Sequence, residues 1–152
     1  PLRAGIHGSG TRIGSIVSTL NLTVDSSRYQ RYLVDALRLS VDVRRDSLTL
    51  DLTSRLGVSS ITVAGGMSFE PDSITGFHIQ SDAVALDLAK ALNDDELESD
   101  LTFSLEAQGD GIDPSNASGS MTVAIKESRF ADITLEPDTF HVEVQQGLGD
   151  NE

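Results

Sequence analysis

Along most of the chain, apolar residues fall at every second position. In "TLNLTVD", residues 19–25, Leu20, Leu22 and Val24 share one side while Asn21, Thr23 and Asp25 take the other, the period of a half-buried strand. The same rule fits Leu37, Leu39, Val41 and Val43, then Leu48, Leu50 and Leu52, then Ile61, Val63, Met67 and Phe69. It resumes with Leu101, Phe103 and Leu105 and again with Met121, Val123 and Ile125. The positions between are Thr, Ser, Asp, Arg and Lys, so the pattern predicts a sheet with one apolar and one wet face, as antiparallel meanders have. Turn chemistry separates the runs: "RRDS" at 44–47, "EPDS" at 70–73 and "GDGIDPSN" at 109–116.

One segment breaks the alternation. "SDAVALDLAKALND" offers Ser81 or Asp82 as a helix N-cap, with Val84, Leu88 and Leu92 at helical spacing and Lys90 near the end. It predicts a short amphipathic helix near 82–92. The fold class expected is therefore mainly β with one helix.

Two heptapeptides, "TVDSSRY" at 23–29 and "AIKESRF" at 124–130, end in Ser-Arg-aromatic. Superposing Ser27 on Ser128 sets an offset of 128 − 27 = 101 positions, and the same offset aligns more without a gap. Gly8 and Gly10 fall on Gly109 and Gly111; Leu20, Leu22 and Val24 fall on Met121, Val123 and Ile125; Leu39, Val41 and Val43 fall on Phe140, Val142 and Val144. Alternating strands match one another by chance at half of all shifts, so the glycines and the Ser-Arg-aromatic corner carry the weight. The whole chain, 1–152, reads as a single β segment holding about one and a half copies of a 101-residue unit, with 7–44 equivalent to 108–145. If a unit contributes about six strands spaced by about 4.8 Å, it advances the sheet by roughly 29 Å, and a chain built this way elongates.

Composition narrows the partners. A formal charge of -13 argues against nucleic acid, whose non-specific capture depends on Lys and Arg displacing counterions. The absence of cysteine removes disulfides and thiolate metal sites. No apolar run is long enough for a membrane-spanning helix.

The stretch from Asp87 to Val144 resembles the repeating sequence of the AsmA/TamB family. The resemblance rests on Asp87-Leu88-Ala89, on the Gly-x-Gly turn at Gly109 and Gly111, on Asp113-Pro114 with Gly119, and on the corner Ser128 and Phe130. It covers roughly the last sixty residues well, and the first fifty more loosely through the repeat. It implies an elongated antiparallel sheet curled lengthwise into an open apolar groove, a β-taco. It also implies a periplasmic segment of an envelope protein that shields or conducts phospholipid acyl chains in outer-membrane biogenesis. Such a protein is anchored through parts outside this stretch and works with an outer-membrane barrel partner. The residues expected to line the groove are Leu20, Leu22, Val24, Val41, Val63, Phe103, Met121, Val123 and Ile125. Inward residues without polar donors should take lipid tails and leave headgroups at the rim. The alternative is a non-enzymatic structural or adhesive β-repeat module of the cell surface with a closed dry core. In either reading the fragment's free edges invite edge-to-edge self-association.

Chemistry-bearing motifs are sparse. His7, His78 and His141 lie far apart, and neither a metal nor an acid–base centre is expected from them. "GDGIDPSN" places Asp110, Asp113 and Asn116 as calcium loops do, but without the full alternating ligands or the terminal Glu, so it reads as a turn. Asn21-Leu22-Thr23 and Asn116-Ala117-Ser118 match a glycosylation pattern that carries no meaning in a bacterial chain. The charge run at 93–100 reads as a solvated loop. Arg28 and Arg129 recur at a strand end and are expected to pair with carboxylates across the sheet. With no Gly-x-Ser-x-Gly elbow, phosphate loop or His-Glu-x-x-His helix, the reading is of a protein without enzymatic activity or cofactor.

Overall fold

The computed structural model describes residues 2–9, 17–29, 32–70, 73–89, 94–111 and 117–145. Strands hold 83% of these residues, so the sheet itself is the architecture. In chain order they are β1 (Leu2–Ser9), β2 (Val17–Tyr29), β3 (Tyr32–Arg44), β4 (Ser47–Leu56), β5 (Ser59–Glu70) and β6 (Ser73–Leu86). There follow β7 (Ser99–Asp110), β8 (Ser118–Ile125), β9 (Ser128–Phe130), β10 (Ile133–Leu135) and β11 (Asp138–Val144). The sheet runs β1-β2-β3-β4-β5-β6-β7-β8-β11 with every neighbour antiparallel, while β9 pairs with β7 and β10. It is an open meander.

Tight connections account for that order. Arg45 and Asp46 close β3 onto β4 in two residues, as "RRDS" foretells. Gly57 and Val58 do the same for β4 and β5, and Gly57 takes φ 62°, a conformation cheap only without a Cβ. The Asp35 carboxylate accepts the Gly57 N–H at 2.6 Å, which pins that turn to β3. The inner residues of "EPDS" and of "GDGIDPSN", 71–72 and 112–116, lie outside the described residues.

The helix expected near 82–92 is corrected over its first half. Residues 82–86 belong to β6, where Asp82 pairs with Thr62 and Ser104, and Ala83 with Ile61 and Phe103. A strand with partners on both sides gains two ladders of backbone bonds, which outweighs the few tenths of a kcal/mol per residue by which Ala and Leu favour a helix. Leu88 and Ala89 do have helical backbone, and residues 90–92 lie outside the described residues. The charge run that follows contains a 3-10 turn at Asp95–Leu97, capped by the Asp94 carboxylate accepting the Glu96 N–H.

Registers repeat at the 101-residue offset. In β1/β2, His7 faces Thr19 and Gly8 faces Ser18; in β7/β8, Gln108 faces Ser120 and Gly109 faces Gly119. In β2/β3, Val24 faces Leu37 and Arg28 faces Leu33; the counterparts are Ile125 facing Asp138 in β8/β11 and Arg129 facing Thr134 in β9/β10. Six strands, β1 to β6, separate a residue from its counterpart.

Among the described residues no second layer covers the sheet. Strand pairs in substantial contact are all hydrogen-bonded neighbours. Among the described residues the buried hydrophobic side chains are Ala83 and Ala89, and no large side chain is fully buried. Burial is deepest along one seam instead, where Ser54, Ser59, Ser99 and Ser128 are enclosed. The seam is stitched by hydroxyls. Ser59 Oγ donates to the Ala85 carbonyl at 2.6 Å, and Thr102 Oγ1 accepts the Ala85 N–H at 3.1 Å. Ser99 Oγ accepts the Leu88 N–H at 2.7 Å, and Ser128 Oγ accepts the Thr102 N–H at 2.9 Å. Ala85 has φ 48° and the β6/β7 ladder shifts register between Ala83 and Leu86, so hydroxyls take the place of ladder partners where the strand kinks.

Candidate functional site

Residues directly opposite in an antiparallel sheet point to the same side, so the registers define rungs that cross all nine strands of the main path. One rung reads Leu2, Val24, Leu37, Ser54, Ile61, Ala83, Phe103, Ile125, Asp138. The next reads Ala4, Leu22, Leu39, Leu52, Val63, Ser81, Leu105, Val123, Phe140, and the third Ile6, Leu20, Val41, Leu50, Gly65, Ile79, Ala107, Met121, Val142. The nine residues expected to line a groove fall three to a rung. Val24, Phe103 and Ile125 occupy the first, Leu22, Val63 and Val123 the second, and Leu20, Val41 and Met121 the third. All nine share one face of the sheet.

A fourth rung extends this face: Gly8, Ser18, Val43, Leu48, Met67, Phe77, Gly109, Gly119, Val144. At this end of the strands lies a hollow of about 670 Å³, lined by three consecutive residues from each of β4, β5, β6, β7 and β8 and by Glu143, Val144 and Gln145 at and just past the end of β11; the two outer residues of each triplet belong to the opposite face. The middle residue of each triplet is the rung's own: Leu48, Met67, Phe77, Gly109, Gly119 and Val144. Glycine is required at Gly109, because a Cβ there would sit 2.8 Å from the Phe77 ring and 2.5 Å from the Ser118 carbonyl oxygen. Alternation already places Val43, Leu48 and Met67 on the apolar side, and "GDG" and the glycine at 119 are signals of close approach.

The four rungs span eight strand spacings by three rung spacings, about 38 Å by 20 Å or roughly 760 Å². Apolar patches beyond a few hundred Å² mark interaction surfaces. On these rungs the sole charged side chain is Asp138 at the β11 edge, so the face can exclude water from an apolar ligand but offers almost nothing for acid–base work.

Charge sits on the opposite face. Asp42 Oδ1 accepts from Arg44 Nε at 2.7 Å and its Oδ2 from Thr19 Oγ1 at 3.0 Å, and these bonds hold the carboxyl below its ordinary value. His7 and His78 share a rung on this side but stand five strands apart, about 24 Å along the sheet, with His141 three strands further on. His141 Nδ1 lies 3.0 Å from Thr122 Oγ1 on the neighbouring strand. Arg129 Nη2 donates to Glu98 Oε1 at 3.2 Å; both are exposed, which limits the pair to less than about 1 kcal/mol. Of the calcium-like trio, Asp110 ends β7 while Asp113 and Asn116 lie outside the described residues. No described helix is long and apolar enough to cross a membrane, which says nothing of crossing by strands.

No protein-family model, no curated protein and no solved structure matches the chain.

Proposed function

We propose that this chain is a groove-forming segment of a periplasm-spanning envelope protein of the AsmA/TamB type, whose apolar face shields or conducts phospholipid acyl chains in support of outer-membrane biogenesis. The observation that carries the reading is the four-rung apolar face, continuous over nine strands and without a packing layer among the described residues. An antiparallel sheet ordinarily spends such a face on a core. An acyl chain laid along it gains about 0.8 kcal/mol for each methylene withdrawn from water. Headgroups stay at the rim, since the rungs lack the cations that would hold phosphate. The 101-residue unit lets further copies lengthen such a groove, and a barrel partner in the outer membrane would take the lipid at its end. A structural or adhesive module with a closed dry core needs an opposing layer, and nothing among the described residues favours one.

The test is lipid content. Protein incubated with phospholipid vesicles, re-isolated without detergent and extracted for mass spectrometry should carry phospholipid. Val123→Glu, with unchanged far-ultraviolet circular dichroism, should lose more than tenfold of it, because a carboxylate among methylenes costs several kcal/mol. Equal lipid in both proteins, or none in the native chain, would contradict the reading.

A further inference from the structure

Past the first rung the sheet turns a corner. Ser26 in β2 and Ala85 in β6 take φ 43° and 48°, and the chain between β8 and β9 breaks at Lys126 and Glu127, all within two residues of that rung. Exposure gives the direction of the bend. On the apolar side Ala83 is 1% exposed and Ser54 is buried, while their chain neighbours on the charged side, Val84 at 50% and Arg55, are exposed. The apolar side is therefore the inside of the corner, and the strand ends beyond it lean over the apolar face.

At the later end the part beyond the corner is the β9–β10 hairpin. Ser99 faces Phe130, Phe130 faces Ile133 and Ser128 faces Leu135, so these residues share a side, and it is the side of Phe103, four positions along β7 from Ser99. The hairpin is lightly held. Two ladder pairs join it to β7, Ser99 with Phe130 and Asp100 with Arg129; to these the Ser128 hydroxyl adds its bond to Thr102, and the Glu98 carbonyl accepts the Ala131 N–H at 2.8 Å. Ala131 at its tip has φ 49°, a strained value for a residue with a Cβ. Between Ile125 facing Asp138 and Ser128 facing Leu135 no ladder pair links the two chain segments that lead into it. Among the described residues β10 meets only β9, and the repeat supplies no further partner: its counterparts, 32–34, lie beyond the start of the β3/β4 ladder at Ala36 facing Arg55. The earlier copy is not hinged, since 27–34 stay within the long strands β2 and β3.

We propose that the β9–β10 hairpin is a hinged flap, pivoting at 126–127 and 136–137, that closes over the apolar face beside Phe103 and Ile125 and opens to admit an acyl chain. What enters rests on the lipid reading; the motion does not. The chain has no cysteine, so Asp100→Cys with Arg129→Cys, a directly opposed pair on the charged side, can staple the flap to β7 by a disulfide without altering the apolar face. Thr53→Cys with Thr62→Cys staples β4 to β5 as the control. Hydrogen exchange read by mass spectrometry should be at least tenfold faster at 128–135 than at 48–55 in the native chain, and the oxidised flap variant should slow it at least tenfold while the control leaves it unchanged. Uptake of phospholipid from vesicles should be at least tenfold slower in the oxidised flap variant than in the same protein reduced, and equal in both states of the control. Exchange at 128–135 as slow as in β4, or indifferent to the staple, overturns the hinge. Slowed exchange with unchanged uptake overturns the flap as an entrance and leaves lipid binding in place, whereas no uptake by any variant overturns the lipid reading and the entrance with it.

Discussion

The first three strands and their counterparts 101 residues later follow the same pairing rules and end in different shapes. β2 and β3 run unbroken for 13 residues each, passing from Asp25 facing Ala36 directly to Ser27 facing Val34. The later ladder jumps from Ile125 facing Asp138 to Ser128 facing Leu135, which divides it into β8 with β11 and β9 with β10. The additional missing pair is Lys126 with Pro137, where the earlier copy has Asp25 with Ala36. Proline has no N–H to contribute to a ladder. Lys126 turns its own N–H to the Thr102 carbonyl of β7 at 2.9 Å, and Ser128 follows it there. A kink is nonetheless built into both copies, since Ser26, counterpart of Glu127, already has φ 43°. The apolar alternation therefore sets register over long distances, while one residue decides whether a strand passes through a bend or breaks at it.

This contrast can be broken most forcefully at Ala36, which pairs with Asp25 on one side and Arg55 on the other. Ala36→Pro carries the later copy's residue into a strand flanked on both sides, removes a ladder donor and crowds its neighbours, and should be the most destabilising of these changes in urea-induced unfolding, by about 2 kcal/mol or more. Next in size is the hydroxyl that catches the broken strand. Ser128→Ala removes the acceptor of the Thr102 N–H at a site 5% exposed and should cost about 1–3 kcal/mol, whereas Ser27→Ala at the half-buried counterpart should stay below that. The smallest effect is the reverse repair. Pro137→Ala returns one N–H at an exposed position next to an edge strand, and should change stability by less than about 1 kcal/mol while slowing amide hydrogen exchange at Lys126 and Glu127.

Much of the sheet was legible because its period is two. Leu22, Val63 and Val123 lie far apart in sequence yet share a rung, since each was placed on the apolar side of its own strand and the meander kept register between them. Residues 82–86 misled for the opposite reason. Ala, Val and Leu at mixed spacing favour a helix locally, and only the ladders to Thr62 and Ser104 reveal a strand. On the fourth rung Val43, Leu48 and Met67 were legible from alternation, whereas Gly109 lying under the Phe77 ring of the neighbouring strand was not, a contact that no single run of sequence contains. The serine seam escaped likewise: Ser59, Ser99 and Ser128 look like solvent-facing strand residues until the kink at Ala85 leaves backbone groups in need of hydroxyls.

The central claim is that the apolar face, and not the charged one, receives lipid. Val123 and Thr122 are neighbours on β8 and point to opposite faces. A photo-crosslinking side chain placed at each position in turn, and irradiated with the protein bound to phospholipid vesicles, separates the two surfaces most directly. The account predicts lipid adducts from position 123 and little or none from position 122; equal labelling at both, or labelling from 122 alone, would contradict it.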